Sequence, residues 1–532
     1  APAPEPDVSA TPPNHTAAAD LIEGRWRPIP GDQLRSHNPA RPDETVWSGT
    51  PDLARVDDAV AAARRAFHQW SAWSFDRRVT VLRAAQALMR ARAEAFGTLI
   101  MRETGKAAWD ALAEAKLLAD KIDITLEQGP NTGMARVTGF ELNLAAARAG
   151  VTRFRPHGVM GVVGPFNFPA HLPNGHIVPA LAMGNTVVFK PSDKAPACGQ
   201  MLASIFQDAL DSVGAPPGVM NLVHGAAPAA ARLVAHEGLD GVLFTGSWPV
   251  GRRILEANLD RPGRMIALEM GGNNAAVVMP DADLRQGVIE CVRSAFVTSG
   301  QRCTCTRRII VHRAVSERFL AAFEKAARAL VVGDPRGVNG DAAKPVFMGP
   351  VVRAEAQAAA LAFQNDLRRA GATALIEAST PEVAGCPGGH FVSPGAMLVP
   401  RFTLAENPAR DAGCDMEVFA PIVRISIADS FGDALEQANA SRFGLAASLF
   451  TRDRDSIDRF MRLAKAGCVN VNTGTAGASS KLPFGGVDRS GNHRPAGAFS
   501  LDYCAYPVAS MVESGTAATI PSGMTWDDAW VG

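Results

Sequence analysis

The stretch GVMGVVGPFNFPAHLPNGHIVPALAMGNTVVFKPS, from Gly158 to Ser192, decides the fold. Two short Val-rich runs, GVMGVVGP and NTVVFKPS, flank one helical stretch around GHIVPALAM. Both runs are apolar with little alternation, as expected of strands buried on both faces. Joining them through a helix makes them parallel, because the chain must cross back over the sheet before the second strand starts. The texture continues downstream with a helix in CGQMLASIFQDALDSVG, the strand VMNLVHG, another helix and the strand GVLFTGS. Upstream, from Asp52 to Gln128, three segments carry apolar residues at i, i+3 and i+4 and read as helices, one of them spanning RRVTVLRAAQALMRARAEAFGTLIMRETG. A second series begins near Gly271, with strands at NNAAVVMPDAD, RRIIVHR, PIVRISIADS and ASLFTRD and helices between them. The prediction is an α/β protein with two α/β domains.

Composition narrows the class. At 532 residues the chain is long for one core, and length predicts about three units. Lys and Arg number 53 and so do Asp and Glu, so no net field recruits a polyanion, and a nucleic-acid partner is not expected. The eight cysteines are scattered, as expected where thiols stay reduced, which favours a cytoplasmic protein. No apolar run reaches the length of a membrane span. Residues 1–19, rich in Pro and Ala, read as a disordered tail, not a signal peptide, and 513–532 as a loose extension.

The chemistry centres on SGQRCTCTRRIIVH, Ser299 to His312. Cys303 and Cys305 with only His312 nearby are not a zinc set, so no metal is predicted. Residues two apart on an extended chain also make a poor disulfide. Cys305 and the six distant cysteines read as core filler. Cys303 lies in a helix-to-strand loop, where rigid scaffolds display reactive groups. Thirty-four residues upstream, Glu269 sits in IALEMGGNN between apolar residues and a Gly-Gly pair. Buried there it would have a raised pKa and could serve as a general base towards water; the alternative is a capping or ion-paired carboxylate at a strand end.

Seven pieces in series carry a resemblance: GPFNFP, VVFKPSD, FTGSWPVG, LEMGG, GQRC, EVFAP and LPFGG. In order and spacing, over about residues 20–512, the chain resembles the NAD(P)-dependent aldehyde dehydrogenase superfamily. HLPNGHIVPAL, GQRCTC and SGNHRPAGAFSLDYCAYPVAS narrow the likeness to the branch acting on N-succinylglutamate 5-semialdehyde in arginine catabolism. Rival readings are an enzyme for another semialdehyde, of glutamate or succinate, a CoA-acylating relative, and a non-catalytic protein on the same scaffold.

The resemblance implies a Rossmann-like NAD-binding domain (20–138 and 157–270), an α/β catalytic domain (271–472) and a small β oligomerisation arm (139–156 and 498–512), hence a homo-oligomer, dimer or tetramer. It implies that Cys303 attacks the aldehyde, that Asn167 and the Cys303 N–H hold the oxyanion, and that Glu269 activates water. For the cofactor it implies Phe166, Lys190 and Asp193, then Gly246, Ser247, Trp248, Pro249, Val250 and Gly251, then Glu417 and Phe419. Asp193 would accept from a ribose 2′-OH and repel a 2′-phosphate, so NAD is expected over NADP. Ala420 replaces the common Gly, and Pro495 stands where many members carry an auxiliary glutamate. A substrate with two carboxylates needs cationic donors, and Arg302, His176 and Arg494 are the candidates. His176 has the alternative of a satisfied core histidine, and Arg494 of a brace against a neighbouring subunit. Arg302 is expected to help ionise Cys303, and Arg307 and Arg308 to start a strand and face solvent.

Overall fold

The computed structural model describes residues 17–129, 131–516 and 518–532. Strands β1 (Ala19–Ile22), β2 (Arg25–Pro28), β3 (Leu34–Asn38) and β4 (Arg41–Gly49) lead into helices α1 (Ala54–Ser71), α2 (Phe75–Ala91), α3 (Ala93–Thr104) and α4 (Ala108–Leu126). Then come β5 (Phe140–Ala145) and β6 (Arg148–Pro156), and the alternating series β7 (Val159–Val163), α5 (His171–Met183), β8 (Thr186–Lys190), α6 (Pro196–Ser212), β9 (Met220–Leu222), α7 (Ala227–Ala235), β10 (Gly241–Gly246), α8 (Trp248–Glu256) and β11 (Met265–Met270). The second series is β12 (Asn274–Val278), α9 (Leu284–Phe296), β13 (Thr306–His312), α10 (Arg313–Arg328), α11 (Ala354–Arg369), β14 (Thr373–Ile376), β15 (Gly395–Leu398), β16 (Ile422–Ala428), α12 (Phe431–Asn439), β17 (Phe443–Gly444), β18 (Ala446–Phe450), α13 (Arg454–Leu463) and β19 (Cys468–Val471). The pairs β20 (Pro483–Phe484), β21 (Val487–Asp488) and β22 (Ala496–Gly497) precede the long β23 (Ala505–Glu513).

The first sheet has the order β11-β10-β7-β8-β9-β1-β2. From β11 to β9 it is parallel, while β1 and β2 add antiparallel. Strand β7 buries every residue: Met160 and Val162 join one core, Val159 and Val163 the core on the opposite face. That two-sided burial is why the run shows no polar alternation. The strand order reverses between β7 and β10, which opens a crevice beyond their carboxyl ends.

The second sheet, β14-β15-β16-β13-β12-β18-β19, repeats the scheme around β12, again with opposite-face cores, Ala275 and Val277 on one side and Ala276 and Val278 on the other. Only Gly271, Gly272 and Asn273 separate β11 from β12. This short joint sets the carboxyl edge of the first sheet against the amino edge of the second. A third sheet, β23-β6-β5, stands apart, and all six residues of β5 are exposed.

Several expectations are corrected here. The single helix read across Arg77–Gly105 is two, broken at Arg92, whose backbone leaves helical geometry (φ −99, ψ 6) while its guanidinium pairs with Asp208 on α6 at 2.6 Å. The N-terminal strands are additions to the sequence reading: β1 and β2, of four residues each, carry too little periodicity to read. The tail assignment over 1–19 falls on residues 1–16 outside the described residues, but Ala19 already opens β1, and the carbonyl of Ala17 accepts from Gln200 Nε2 at 2.9 Å. Beyond Ser514, Ile520, Met524, Trp526, Trp530 and Val531 lie exposed on the extension. Arg307 and Arg308 do not face solvent; each is 2% exposed. No helix among the described residues is long and apolar enough to cross a membrane.

Candidate active site

Helix α9 does not run directly into β13. Thr298, Ser299 and Gly300 take left-handed backbone with φ of 55°, 55° and 72°, strained for the first two and suited to glycine at the third. Strain of this kind persists only when the surroundings over-determine it, and here they do. Thr298 Oγ1 donates to Asp110 Oδ2 at 2.6 Å and Ser299 Oγ to the Gly349 carbonyl at 2.6 Å. Arg302 donates to Asp110 Oδ1 (2.7 Å) and Thr298 Oγ1 (2.8 Å). Arg307 points inward, donating to the carbonyls of Gly300 (2.7 Å) and Arg302 (2.9 Å). Asn274 Nδ2 reaches the carbonyls of Cys303 (2.7 Å) and Cys305 (2.8 Å). Charge-assisted bonds to carbonyls hold both terminal nitrogens of the Arg307 guanidinium, while its Nε has no partner among the described residues; Arg308 donates to the carbonyls of Asn273, Gln437 and Ala438. The loop presents the Cys303 thiol with its own backbone N–H unpaired to any described residue.

Two cavities meet at this thiol. The larger, about 1090 Å³, runs from the crevice of the first sheet and is lined by Phe166, Asn167, Lys190, Asp193, Gly246, Trp248, Glu417, Phe419, Glu269 and Cys303. Ser247, Pro249 and Val250 line it too. Gly251 lies where a Cβ would stand 2.3 Å from Met270 Sδ, so only glycine lets α8 approach β11 this closely. The smaller, about 660 Å³, shares Glu269 and Cys303 and opens between α4, α5 and the segment 478–484.

Glu269 ends β11, held by the segment after β21: Met270 N–H donates to the Ser490 carbonyl at 3.0 Å, and Leu268 N–H to Asn492 Oδ1 at 3.0 Å. SGNHRP therefore buttresses β11. The Glu269 carboxyl is buried, its Oε2 has no hydrogen-bond partner, and burial holds its pKa well above the carboxylate range, offset only by the Ala496 N–H. The Cys303 thiol is likewise pushed up, first by burial and then by Glu417 and Glu269. Arg302 is paired with Asp110 and lowers the neighbouring Cys305; the larger influences on Cys303 are burial and the two carboxyls. Asn167 is nearly buried, and its side-chain amide has no partner among the described residues. Phe166 meets Phe419 edge to face at 5.9 Å.

The three residues anticipated for substrate carboxylates separate. Arg302 lines the smaller cavity. His176 also lines it but is a satisfied core histidine, Nδ1 on Tyr503 Oη (2.8 Å) and Nε2 on Thr245 Oγ1 (3.2 Å), with its pKa lowered to about 3 by burial. Arg494 is exposed and lines neither cavity.

The larger cavity fits a dinucleotide on its own donors. Lys190 is 4% exposed, its Nζ makes no hydrogen bond to a described residue, and burial lowers it to about 8, so the amine awaits an acceptor. Asp193, three residues on, pairs with Lys194 at 3.2 Å. Pro228, Ala231, Val250 and Ile254 form an apolar slot between α7 and α8; at the start of α8 Pro249 carries no N–H, Val250 and Gly251 donate to the Ser247 carbonyl (3.1 and 3.0 Å), and the Trp248 N–H is paired with no described residue. Glu417 Oε1 accepts from Gly272 N–H at 3.0 Å, tying the loop before β16 to the β11–β12 joint. Arg489, missed in the sequence, stacks on Trp248 with its guanidinium 5.7 Å from the ring.

A doubly wound sheet opening on a half-buried thiol and a buried carboxyl defines a class: α/β oxidoreductases with a dinucleotide crevice and a cysteine. The model of the aldehyde dehydrogenase family matches residues 26–507, and the chain belongs to that family. It is 42% identical over 493 residues to the N-succinylglutamate 5-semialdehyde dehydrogenase of Paraburkholderia xenovorans (strain LB400), covering 92% of this chain and 96% of that protein. Among solved structures, the Thermus 1-pyrroline-5-carboxylate dehydrogenase with bound NAD superposes with a TM-score of 0.80 at 27% identity, over 93% of this chain and 92% of the other. The NADP-dependent glyceraldehyde-3-phosphate dehydrogenase of Bacillus halodurans C-125, complexed with NADP, gives 0.82 at 28%, over 94% and 100%.

Proposed function

We propose that the protein oxidises N-succinylglutamate 5-semialdehyde to N-succinylglutamate with NAD, in the cytoplasm, as a step of arginine catabolism. The observation that carries the chemistry is the meeting of two cavities at Cys303 and Glu269. The 42% likeness over nearly the whole chain supports the substrate, and the carboxylate of Asp193 supports NAD over NADP.

Cys303 gives up its thiol proton to solvent water and adds through its sulfur to the aldehyde carbon, and the oxyanion so formed is held by the Asn167 amide and the Cys303 N–H, neither paired with a described residue. Lys190, Asp193, the α8 N-terminus, Glu417 and Phe419 would hold the dinucleotide, which supplies the acceptor for the aldehyde hydride. The acyl group stays on Cys303 as a thioester. Glu269, with its raised pKa, accepts a proton from water, which attacks the thioester and releases the acid. Pro495 packs near Gly485 against Glu269 and contributes no second carboxylate, so Glu269 acts alone.

The units are assigned as 20–138 with 157–270 for NAD, 271–472 for catalysis, 139–156 with 498–512 for an arm, and 513–532 as an extension. Exposed Phe140, Leu142 and Leu144 on β5 support a homo-oligomer built through that arm. Eight unpaired cysteines support the reducing compartment.

An NADH assay comparing the succinylated semialdehyde with glutamate and succinate semialdehydes tests the substrate. Preference for either analogue overturns that assignment. Glu269→Gln tests the base: steady-state turnover should fall roughly 10²-fold or more while a burst of NADH remains, and unchanged turnover removes its role.

A further inference from the structure

Helix α4 places Asp110, Glu114 and Lys121 along one face, at i, i+4 and i+11. The first two have their cations: Asp110 pairs with Arg302 at 2.7 Å, and Glu114 with Lys106 at 2.5 Å. They also fix the loops bearing the chemistry, since Glu114 Oε1 accepts from the N–H groups of Ala170 and His171 (3.1 Å each), just beyond Asn167. Lys121 has no acid. Its Nζ donates to the Gly497 carbonyl and to Ser500 Oγ, 2.7 Å each, and the residue, 2% exposed, lines the smaller cavity. An ammonium has three donors, so one is left over. His171 lines the same cavity, and its buried Nδ1 has no partner. Arg302 lines the same cavity; among the described residues it bonds through Nε and Nη2, and its Nη1 has no partner there. A buried cation without a counter-charge, beside an orphaned ring nitrogen and a spare guanidinium nitrogen, is a site lacking its anion.

We propose that the smaller cavity is a carboxylate receptor for the part of the substrate remote from its aldehyde, with Lys121 as the charged anchor and His171 and Arg302 as further donors. This rests on the reading of the substrate as a dianionic semialdehyde. Acids at the mouth do not cancel the site: Asp123 is paired with Arg83 and Arg90, Asp120 is exposed to screening solvent, and Lys481 stands on the facing segment. The groups facing Lys121 are His171 and His176, lowered by burial to about 4 and about 3, and Cys504, pushed up by burial, with Asp502 behind it paired to Arg136. Glu269 lines the cavity too, but it serves the chemistry of every aldehyde alike. Burial lowers Lys121 to about 8, so the receptor is charged below that pH and discharged above it.

The test is the ratio of kcat/KM for N-succinylglutamate semialdehyde to that for pentanal, in the full-length wild type and in Lys121→Met and Lys121→Gln. The ratio should fall roughly 10- to 100-fold, the loss expected for a charge-assisted bond, and glutarate, a simple dicarboxylate, should lose its competitive inhibition. A ratio within twofold of wild type, with glutarate inhibition intact, overturns the role of Lys121. A wild type that does not prefer the dianion, yet binds glutarate through Lys121, sinks the substrate reading and keeps the receptor. Should both variants fail to fold, the wild type decides: the KM for the dianion relative to pentanal should climb about tenfold per pH unit above pH 8, and a flat ratio from pH 7 to 9.5 overturns the proposal.

Discussion

At the scale of single residues the site is governed by desolvation. Burial and the carboxyls of Glu417 and Glu269 push the Cys303 thiol up, and burial raises Glu269, so charge on either opposes charge on the other. The thiol is thus guarded until the site is filled. Removing the charge of Glu417, the largest electrostatic contributor after burial, should let the thiol ionise at lower pH. The alkylation rate of Cys303 by iodoacetamide, followed against pH in Glu417→Gln, should rise earlier than in wild type; coincident profiles would refute this coupling. Arg307 shows the limit of reading residues singly. Charged and next to a strand, it looked solvent-facing, yet it donates to the carbonyls of the nucleophile loop.

At the scale of elements, the decisive feature is the left-handed turn between α9 and β13. A Cβ on Gly300 would stand 2.2 Å from the Ala420 carbonyl oxygen, so loop and EVFAP segment approach only across a glycine. Gly300→Ala should destabilise the protein by ~2–4 kcal/mol and depress kcat more than stability alone explains. Denaturant melts beside kinetics at a temperature where the variant stays folded would show it. Helix α4 is the complementary element: it has the periodicity of an ordinary amphipathic helix, but its polar face holds Arg302 and the α5 N-terminus and carries Lys121.

At the scale of the whole molecule, the β23-β6-β5 sheet projects Phe140, Leu142 and Leu144 outward with no core of its own. Leu142→Lys should shift the protein to a smaller species in light scattering while the monomer stays folded; an unchanged mass would remove β5 from the interface. Acid stability is also a property of the whole fold. His171 and His176 are lowered to about 4 and about 3 in the folded state, against an ordinary value of 6.5. Neutral when folded and protonated when unfolded, they leave stability complete above pH 6.5 and erode it as pH falls towards 4. Thermal melts should show Tm dropping between pH 7 and 5, with a shallower slope in His176→Gln; parallel slopes would contradict it.

The sequence by itself determined the parallel α/β series, because strands buried on two faces and helices buried on one leave different periodicities in a few residues. It also singled out Cys303 and Glu269 as candidates, from a helix-to-strand loop and a carboxylate set before a Gly-Gly pair, while Asn167 came only through the family resemblance. Only the tertiary structure decided that Lys121, not Arg494, lines the smaller cavity and that His176 is already satisfied. Those outcomes depend on partners far along the chain, such as Gly497, 376 residues from Lys121, and no local pattern encodes a contact between such distant segments.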